Sequence, residues 1–207
     1  MAKQLGFSFD SRACTNCKGC QIACQDKNSL PADMRWRRVL QYGGGNWVSQ
    51  DNTMVPSNLF TYSVSFSCMH CQDPICLKVC PAAAITKRDD GVVLIDKEKC
   101  IGCHYCEWAC PYGAMHFIEE QGVMSKCNFC EDLLKQGLNP ACVDACTMRA
   151  IGFGELDQLK ALNGSLDSVE PLPSGEITKP SFVIKPHKHA QRSGKGTGKI
   201  LNLPEEL

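Results

Sequence analysis

Alternating apolar and polar residues predict short β-strands along the chain. Leu5–Asp10 and Leu59–Phe66 both alternate, and the second is rich in aromatic and β-branched residues. Gly91–Asp96 is a short apolar run with the composition of a strand. Leu156–Leu162 is predicted to form one helix. Short strands with short helices indicate an α+β fold.

Two regions depart from this pattern. Asn28–Pro56 is a polar, glycine-rich insertion that contains three consecutive glycines, Gly43–Gly45. After Asn163 the chain is dominated by Pro, Gly, Ser and Lys, and no aromatic residue follows Phe182. Such a composition predicts a tail that buries no core of its own. We expect it either to be disordered or to lie extended over a partner, and we favour the partner.

The hydrophobic pattern predicts no membrane span and no secretory signal. The longest apolar runs, such as Pro81–Ile85 and Gly91–Ile95, are far shorter than the roughly 18 residues that a span requires. Met1–Asp10 lacks a cationic stretch followed by an apolar run. The chain is therefore expected to be made in the cytosol, where clustered cysteines bind metal more often than they form disulfides.

The chain of 207 residues contains 16 cysteines, which fall into four sets of four. The sets are Cys14-x2-Cys17-x2-Cys20-x3-Cys24, Cys68-x2-Cys71-x4-Cys76-x3-Cys80, Cys100-x2-Cys103-x2-Cys106-x3-Cys110 and Cys127-x2-Cys130-x11-Cys142-x3-Cys146. Sets one and three have the spacing of bacterial ferredoxins, and set three keeps the proline, Pro111, that follows the last cysteine. The spacing predicts [4Fe–4S] clusters.

The spacing has a physical reason. Three cysteines two residues apart let a tight loop wrap one face of a cubane, so that backbone N–H groups reach its sulfurs. The following x3 step carries the fourth thiolate one helical turn onward, toward a second cluster. Zinc is disfavoured because the third cysteine of CxxCxxC is surplus to a zinc ribbon. A disulfide scaffold requires an oxidising compartment and gains nothing from this spacing.

The crossing of the fourth cysteine predicts which thiolates share a cluster. Sets two and three are joined by a short segment, 82–99, that suits one two-cluster unit, so sets one and four pair across the chain. The predicted ligands are Cys14, Cys17, Cys20 and Cys146 at site 1; Cys24, Cys127, Cys130 and Cys142 at site 2; Cys68, Cys71, Cys76 and Cys110 at site 3; and Cys80, Cys100, Cys103 and Cys106 at site 4. The rival pairing joins set one with two and set three with four.

This pairing predicts two ferredoxin-like modules, one inserted in the other. The split outer module comprises residues 1–56 and 121–155, with the glycine-rich insertion at 28–56, and the inner module comprises residues 57–120. Residues 156–207 form the extended partner-binding tail. Each module is expected to carry two of the four [4Fe–4S] clusters.

Charge and motifs exclude several other functions. The formal net charge is zero, with 22 basic and 22 acidic residues, so the basic excess of a nucleic-acid-binding protein is absent. Sixteen thiolates and four oxidised cores bring the loaded protein to roughly −8. All the cysteines are committed to four-ligand sets, and no dinucleotide, phosphate-loop or nucleophile motif occurs. We therefore expect a non-catalytic electron-transfer subunit.

Several segments resemble the iron–sulfur B subunits of membrane-bound molybdopterin oxidoreductases, and among them the dimethyl sulfoxide reductase type. The segments are Cys68-Met-His-Cys-Gln-Asp-Pro-Ile-Cys76, Cys100-Ile-Gly-Cys-His-Tyr-Cys106, Cys110-Pro-Tyr-Gly113 and Thr178-Lys-Pro-Ser-Phe-Val-Ile-Lys-Pro186. The resemblance extends from about Gly6 into the tail. The segment in the tail favours the dimethyl sulfoxide reductase type among these subunits, because the cysteine sets alone are shared by many iron–sulfur proteins.

The resemblance implies a heterotrimer that serves anaerobic respiration. One partner is a catalytic subunit with a molybdopterin cofactor, and the other is a membrane anchor that oxidises quinol and lies nearest site 4. The complex is expected to be co-exported through a twin-arginine signal on the catalytic subunit. Relatives in nitrate reductases carry Trp at the position of Cys103 and hold a three-iron cluster there, so four cubanes are expected here.

Two alternatives to this function remain. The protein could be a polyferredoxin subunit of a hydrogenase or formate dehydrogenase complex, or a metal-scaffolded structural protein without a redox role. Genes adjacent to this one separate the first alternative from the main prediction, and reversible one-electron signals exclude the second.

Overall fold

The structure is a computed structural model and describes residues 3–205. Strands, most of them short, and short helices are interspersed along this part of the chain. The strands are β1 (Leu5–Asp10), β2 (Arg38–Gln50), β3 (Thr53–Phe66), β4 (Ile85–Lys87), β5 (Val93–Ile95), β6 (His116–Ile118), β7 (Val123–Ser125), β8 (Ile151–Glu155), β9 (Phe182–Lys185) and β10 (Lys199–Ile200). The helices are α1 (Gly19–Lys27), α2 (Ile75–Lys78), α3 (Tyr105–Ala109), α4 (Glu131–Lys135), α5 (Ala141–Asp144) and α6 (Leu156–Asn163). The predicted ends of the outer module and of the tail, 1–2 and 206–207, lie outside the described residues. The predicted α+β character is confirmed, as are the strand at Leu5–Asp10 and the helix that begins at Leu156.

Strand β1 lies at the centre of a three-stranded sheet. It pairs with β8 on one side in antiparallel orientation and with β9 on the other in parallel orientation. Phe7 and Phe9 of β1 are buried, and the ring of Phe7 stacks on Phe129 with centroids 4.2 Å apart. The sheet therefore joins segments that flank the first and the last cysteine sets.

The segment after Asn163 contributes to this core, a role that the prediction of a tail without a core of its own does not include. Phe182, Val183 and Ile184 of β9 are at most 2% exposed, and Val169 is buried as well. The composition does not indicate this role because a three-residue apolar run is too short to form a core, yet it completes a sheet that β1 and β8 already provide. Binding of a partner by this segment stays a prediction.

The glycine-rich insertion forms a long β-hairpin. Strands β2 and β3 pair throughout, with an irregularity between Gly44 and Asn46, where Gly45 has a φ of +108° that suits glycine. Strand β3 begins at Thr53, six residues before the predicted strand, because the polar outer half of a two-stranded ribbon shows no apolar alternation. The outer half is exposed, including Trp47 and Met54.

Two small hairpins stand beside the cysteine loops. Strands β4 and β5 precede the third set, and β6 and β7 precede the fourth. The predicted module boundary between residues 120 and 121 falls in the turn of the second hairpin. Met124 of this hairpin packs in one apolar cluster with Cys76 and Cys106. No helix within residues 3–205 is long and apolar enough to span a bilayer.

Candidate metal centres

The four cysteines of site 4 line a single cavity. Cys80, Cys100, Cys103 and Cys106 surround a space of about 310 Å³, part of it open to solvent. The rest of the wall is apolar and includes Ile85, Ile95 and Met124. Four thiols are the donor set that a [4Fe–4S] cluster requires, and the apolar wall keeps water away from them.

Sites 1 and 3 repeat this arrangement. Each is a cavity whose wall contains all four predicted ligands, of about 320 Å³ at site 1 and about 360 Å³ at site 3. The cysteines are Cys14, Cys17, Cys20 and Cys146 at site 1, and Cys68, Cys71, Cys76 and Cys110 at site 3. Cys146 and Cys110 come from sets other than the one that supplies their three companions, as the crossing rule predicts.

Site 2 is the most deeply buried of the four. Its cysteines, Cys24, Cys127, Cys130 and Cys142, are each at most 7% exposed. Burial raises the pKa of Cys24, and the charges of Cys127, Cys142 and Cys130 raise it further, so the four thiols lie close together. The structure thus brings together sets one with four and two with three, and the rival pairing does not occur in it.

Neighbouring sites adjoin in the order 1, 2, 3 and 4. Sites 1 and 2 are close together. Burial raises the pKa of Cys142 of site 2, and the charge of Cys20 of site 1 contributes to this increase. Sites 2 and 3 are also close together. Burial, and to a smaller extent the charge of Cys68 of site 3, raises the pKa of Cys127 of site 2 to about 11. Sites 3 and 4 share the apolar cluster that contains Cys76 and Cys106.

Left-handed backbone turns shape the cysteine loops. Lys18 and His104, each directly before a helix, have φ near +60°, and so does Gly102. These turns reverse the backbone direction from one cysteine to the next within three residues. Backbone N–H groups also donate to sulfur. The N–H of Ala150 donates to Cys146 Sγ at 3.2 Å, and that of Met124 donates to Cys100 Sγ at 3.3 Å. Such donors stabilise the anionic sulfurs of a cluster.

Burial favours the neutral form of several thiols. It raises the pKa of Cys76 and of Cys71 to about 12, and that of Cys14 to about 11. A metal centre therefore displaces a proton from each of these three cysteines as it binds. All sixteen cysteines are free of disulfides. Within residues 3–205 no three His, Cys, Asp or Glu side chains converge tightly enough to hold a single metal ion. The three thiol-lined cavities fit cubanes, whose thiolates stand apart at four corners.

Two buried cations accompany the cysteines, and the sequence predicts neither of them. Arg37 is 1% exposed and Lys126 is 4% exposed. Apolar periodicity gives no sign of their burial, since both residues are charged. The only signal in the sequence is the position of Lys126 directly before Cys127.

Comparison with known proteins identifies the family of this chain. The family described as "4Fe-4S dicluster domain" matches residues 59–156. This protein is 45% identical over 207 residues, the full length of both proteins, to the B subunit of anaerobic dimethyl sulfoxide reductase of Escherichia coli. It belongs to the iron–sulfur B subunits of the molybdopterin oxidoreductases. This confirms the resemblance predicted from the cysteine loops and the segment 178–186.

Two other relatives show the breadth of this family. The B subunit of polysulfide reductase of Wolinella succinogenes is 35% identical over 193 residues, which cover 91% of this chain and 97% of that protein. The formate dehydrogenase iron–sulfur subunit of the same organism is 34% identical over 178 residues, which cover 75% of this chain and 84% of that protein. The family thus serves complexes with different substrates, and the B-type subunit alone does not specify which.

Proposed function

We propose that this protein is the electron-transfer subunit of a dimethyl sulfoxide reductase-like complex and carries four [4Fe–4S] clusters. It relays electrons between a quinol-oxidising membrane anchor and a molybdopterin catalytic subunit in anaerobic respiration. The subunit itself catalyses no substrate reaction. The ligands are the four cysteines of each of sites 1 to 4.

The observation that carries this proposal is the order in which four all-cysteine sites adjoin. Neighbouring sites are close enough for their thiols to perturb one another, as Cys68 does Cys127. A mobile carrier needs one or two clusters, whereas a series of four suits a protein fixed between a donor and an acceptor. The full-length similarity to the B subunit of dimethyl sulfoxide reductase supports the same assignment.

The residues of the protein hold and insulate the redox centres. When bound, a [4Fe–4S] cluster supplies reversible one-electron transfer. The thiolates fix its position, apolar side chains such as Ile85 and Met124 keep water away, and backbone N–H groups such as that of Ala150 donate to sulfur. These three contributions favour transfer with little reorganisation of the surroundings.

Sites 1 and 4, the first and last in this order, lie near the surface, which suits contact with two different partners. At site 1, Cys17 is exposed and Met148 is 47% exposed. Near site 4, Ile101 is 66% and Trp108 is 74% exposed. By the family resemblance, the anchor contacts the protein near site 4 and the catalytic subunit contacts it near site 1.

The arrangement of the protein in two modules belongs to this proposal. We infer that residues 57–120 form the inner module, that residues 1–56 and 121–155 form the outer one, and that residues 156–207 bind a partner while β9 anchors them to the rest of the fold. The pairing of β1 with β8 supports a joined outer module. Export together with a catalytic subunit that carries a twin-arginine signal completes the proposal.

Purification of the complex from membranes tests the proposal. We expect about sixteen iron and sixteen sulfide atoms per subunit from four cubanes, four one-electron EPR components in a redox titration, and reoxidation of all four by an S-oxide in the presence of the large subunit. Fewer than four cubanes, or clusters that neither quinol nor substrate reaches, contradicts it.

The formate dehydrogenase relative supports one alternative, a B-type subunit of a formate-oxidising complex. The large subunit that co-purifies decides between them. A protein that reduces S-oxides supports the first proposal, and one that oxidises formate supports the alternative.

A further inference from the structure

Arg37 is a fully buried cation whose hydrogen-bond partners include no carboxylate. Its Nη1 donates to Ser65 Oγ at 3.3 Å and its Nη2 to Ser67 Oγ at 3.2 Å, while Nε has no hydrogen-bond partner within residues 3–205. Cζ lies 4.9 Å from the centroid of the Phe7 ring. Neutral hydroxyls and a ring do not neutralise a guanidinium, and a buried charge persists only when opposite charge is close.

Cysteines of two sites surround the guanidinium and supply the opposite charge as cluster thiolates. Arg37 lies within electrostatic reach of Cys142, Cys20, Cys127 and Cys24. Three of these thiols belong to site 2 and Cys20 belongs to site 1. Of these cysteines, Cys142 also lies within the side-chain interaction range of Arg37.

Ser65 extends the contact toward site 1. Its Oγ accepts from Arg37 and lies 3.4 Å from Cys20 Sγ. The guanidinium therefore lies between sites 1 and 2, and the hydroxyl of Ser65 connects it to Cys20 of site 1.

We propose that Arg37 is the shared counter-ion of the clusters at sites 1 and 2 and raises their reduction potentials. A cluster gains one negative charge on reduction, and a nearby cation stabilises the reduced form more than the oxidised one. Because the group is buried, salt screens this interaction only weakly. The inference rests on the proposed presence of clusters at these two sites.

Lys126 is the corresponding cation at site 3 and provides an internal comparison. Its charge acts on Cys76 and Cys110, both of site 3, where it lowers the thiol pKa against the larger effect of burial. Its Nζ donates to the backbone oxygens of Val93 and of Cys127, the latter at 3.0 Å. The two cations thus face different clusters.

The test is an EPR-monitored redox titration of the purified complex with Arg37→Met, Arg37→Lys and Lys126→Met. Cys20→Ser and Cys71→Ser variants assign the components to sites 1 and 3. We expect Arg37→Met to lower the reduction equilibrium constant at site 2, and to a smaller extent at site 1, by about tenfold or more, which is about 59 mV for a one-electron couple. Arg37→Lys retains most of the wild-type potential. Lys126→Met shifts site 3 and leaves site 1 unchanged.

The shift in Arg37→Met should persist at high salt, whereas Arg192→Gln, an exposed arginine in the C-terminal segment, should leave all potentials unchanged. Unchanged potentials in an Arg37→Met complex with its full iron content overturn the inference. So does an Arg37→Lys shift as large as that of Arg37→Met, since that indicates a purely structural role.

Arg37→Gln keeps a hydrogen-bond donor and removes the charge. It decides the question if Arg37→Met loses iron, because an unchanged site 2 potential in Arg37→Gln also overturns the inference. Absence of iron from the wild-type complex would instead contradict the proposed function, so the two failures are distinguishable.

Discussion

The backbone N–H of Val93 donates a hydrogen bond to Nδ1 of His70 at 3.0 Å. A ring nitrogen that accepts carries no proton, so the neutral imidazole holds its proton on Nε2. Burial and the charges of Lys126 and Arg37 hold the pKa of His70 well below its usual value, which keeps the ring neutral. Nε2 has no partner within residues 3–205, and the side chain lines the cavity of site 3.

We therefore predict that Nε2–H of His70 donates to a sulfur of the site 3 cluster and raises its potential. His70→Asn retains an acceptor for the Val93 amide and removes this donor. It should cost the reduced state about 1.4 kcal/mol, or roughly a tenfold fall in its reduction equilibrium constant. EPR-monitored titration of the complex measures the shift.

His187→Asn, in the C-terminal segment, is the matched control and should leave site 3 unchanged. The ring of His70 also meets Phe129 edge-on at 5.0 Å. An unaltered potential in His70→Asn with full iron content would indicate that Nε2–H faces the ring of Phe129 instead, and the prediction would fail.

Cysteine spacing predicts the grouping of cysteines around the three thiol-lined cavities because ligand geometry is local. A CxxCxxC loop fixes three thiols within seven residues, and the crossing of Cys110 and Cys146 follows from one helical turn. The burial of Arg37 could not be predicted, because two of the four cysteines around it, Cys127 and Cys142, are about 100 residues away in the sequence. Strand β9 was missed for the same reason, since its burial depends on pairing with β1.

Substitution of Cys103 should change the cluster type at site 4. Cys103 lines this cavity with the other three ligands, so Cys103→Trp removes one thiolate and one iron position. We expect an oxidised complex with a three-iron EPR signal and one iron fewer per subunit, whereas the wild-type protein shows no such signal. Ile101→Trp, an exposed position in the same loop, should keep all four cubanes. A stoichiometric three-iron signal in the wild-type protein would refute the assignment of Cys103.

Asn202 acts as a short continuation of the sheet at the edge of β2. Its Nδ2 donates to the oxygen of Val39 at 2.8 Å, and its Oδ1 accepts from the N–H of Gln41 at 2.7 Å. Asn202 is 5% exposed, so Asn202→Ala leaves two backbone groups without these partners away from water. We expect a local loss of about 2 kcal/mol.

Native-state hydrogen exchange of the Gln41 amide measures this loss. A penalty of about 2 kcal/mol corresponds to roughly thirtyfold faster exchange in Asn202→Ala. Asn46→Ala changes an exposed asparagine in the same strand and should not alter the rate. Equal exchange in Asn202→Ala and the wild-type protein would show that water replaces both contacts at no cost.

His116 of β6 should make the folded protein sensitive to mild acid. Burial, assisted by the charge of Arg38, lowers its pKa to about 4, and Glu107 opposes this shift only weakly. The unfolded state binds a proton near pH 6.5, whereas the folded state does so only near pH 4. The contribution of the neutral His116 ring to stability is therefore fully present above about pH 6.5 and decreases as the pH falls toward 4. Between pH 6.5 and 5 the loss is about 2 kcal/mol at 1.36 kcal/mol per unit.

Protection factors of the amides in β6 and β7, measured at pH 7 and pH 5, test this dependence. They should fall between the two pH values by about thirtyfold more in the wild-type protein than in His116→Gln, which has no group to titrate in this range. His189→Gln, at an exposed position, should keep the wild-type dependence. Because loss of clusters in acid affects all three proteins, the difference between them isolates His116. An identical pH dependence in His116→Gln and the wild-type protein would show that the ring gains its proton equally well in the folded state.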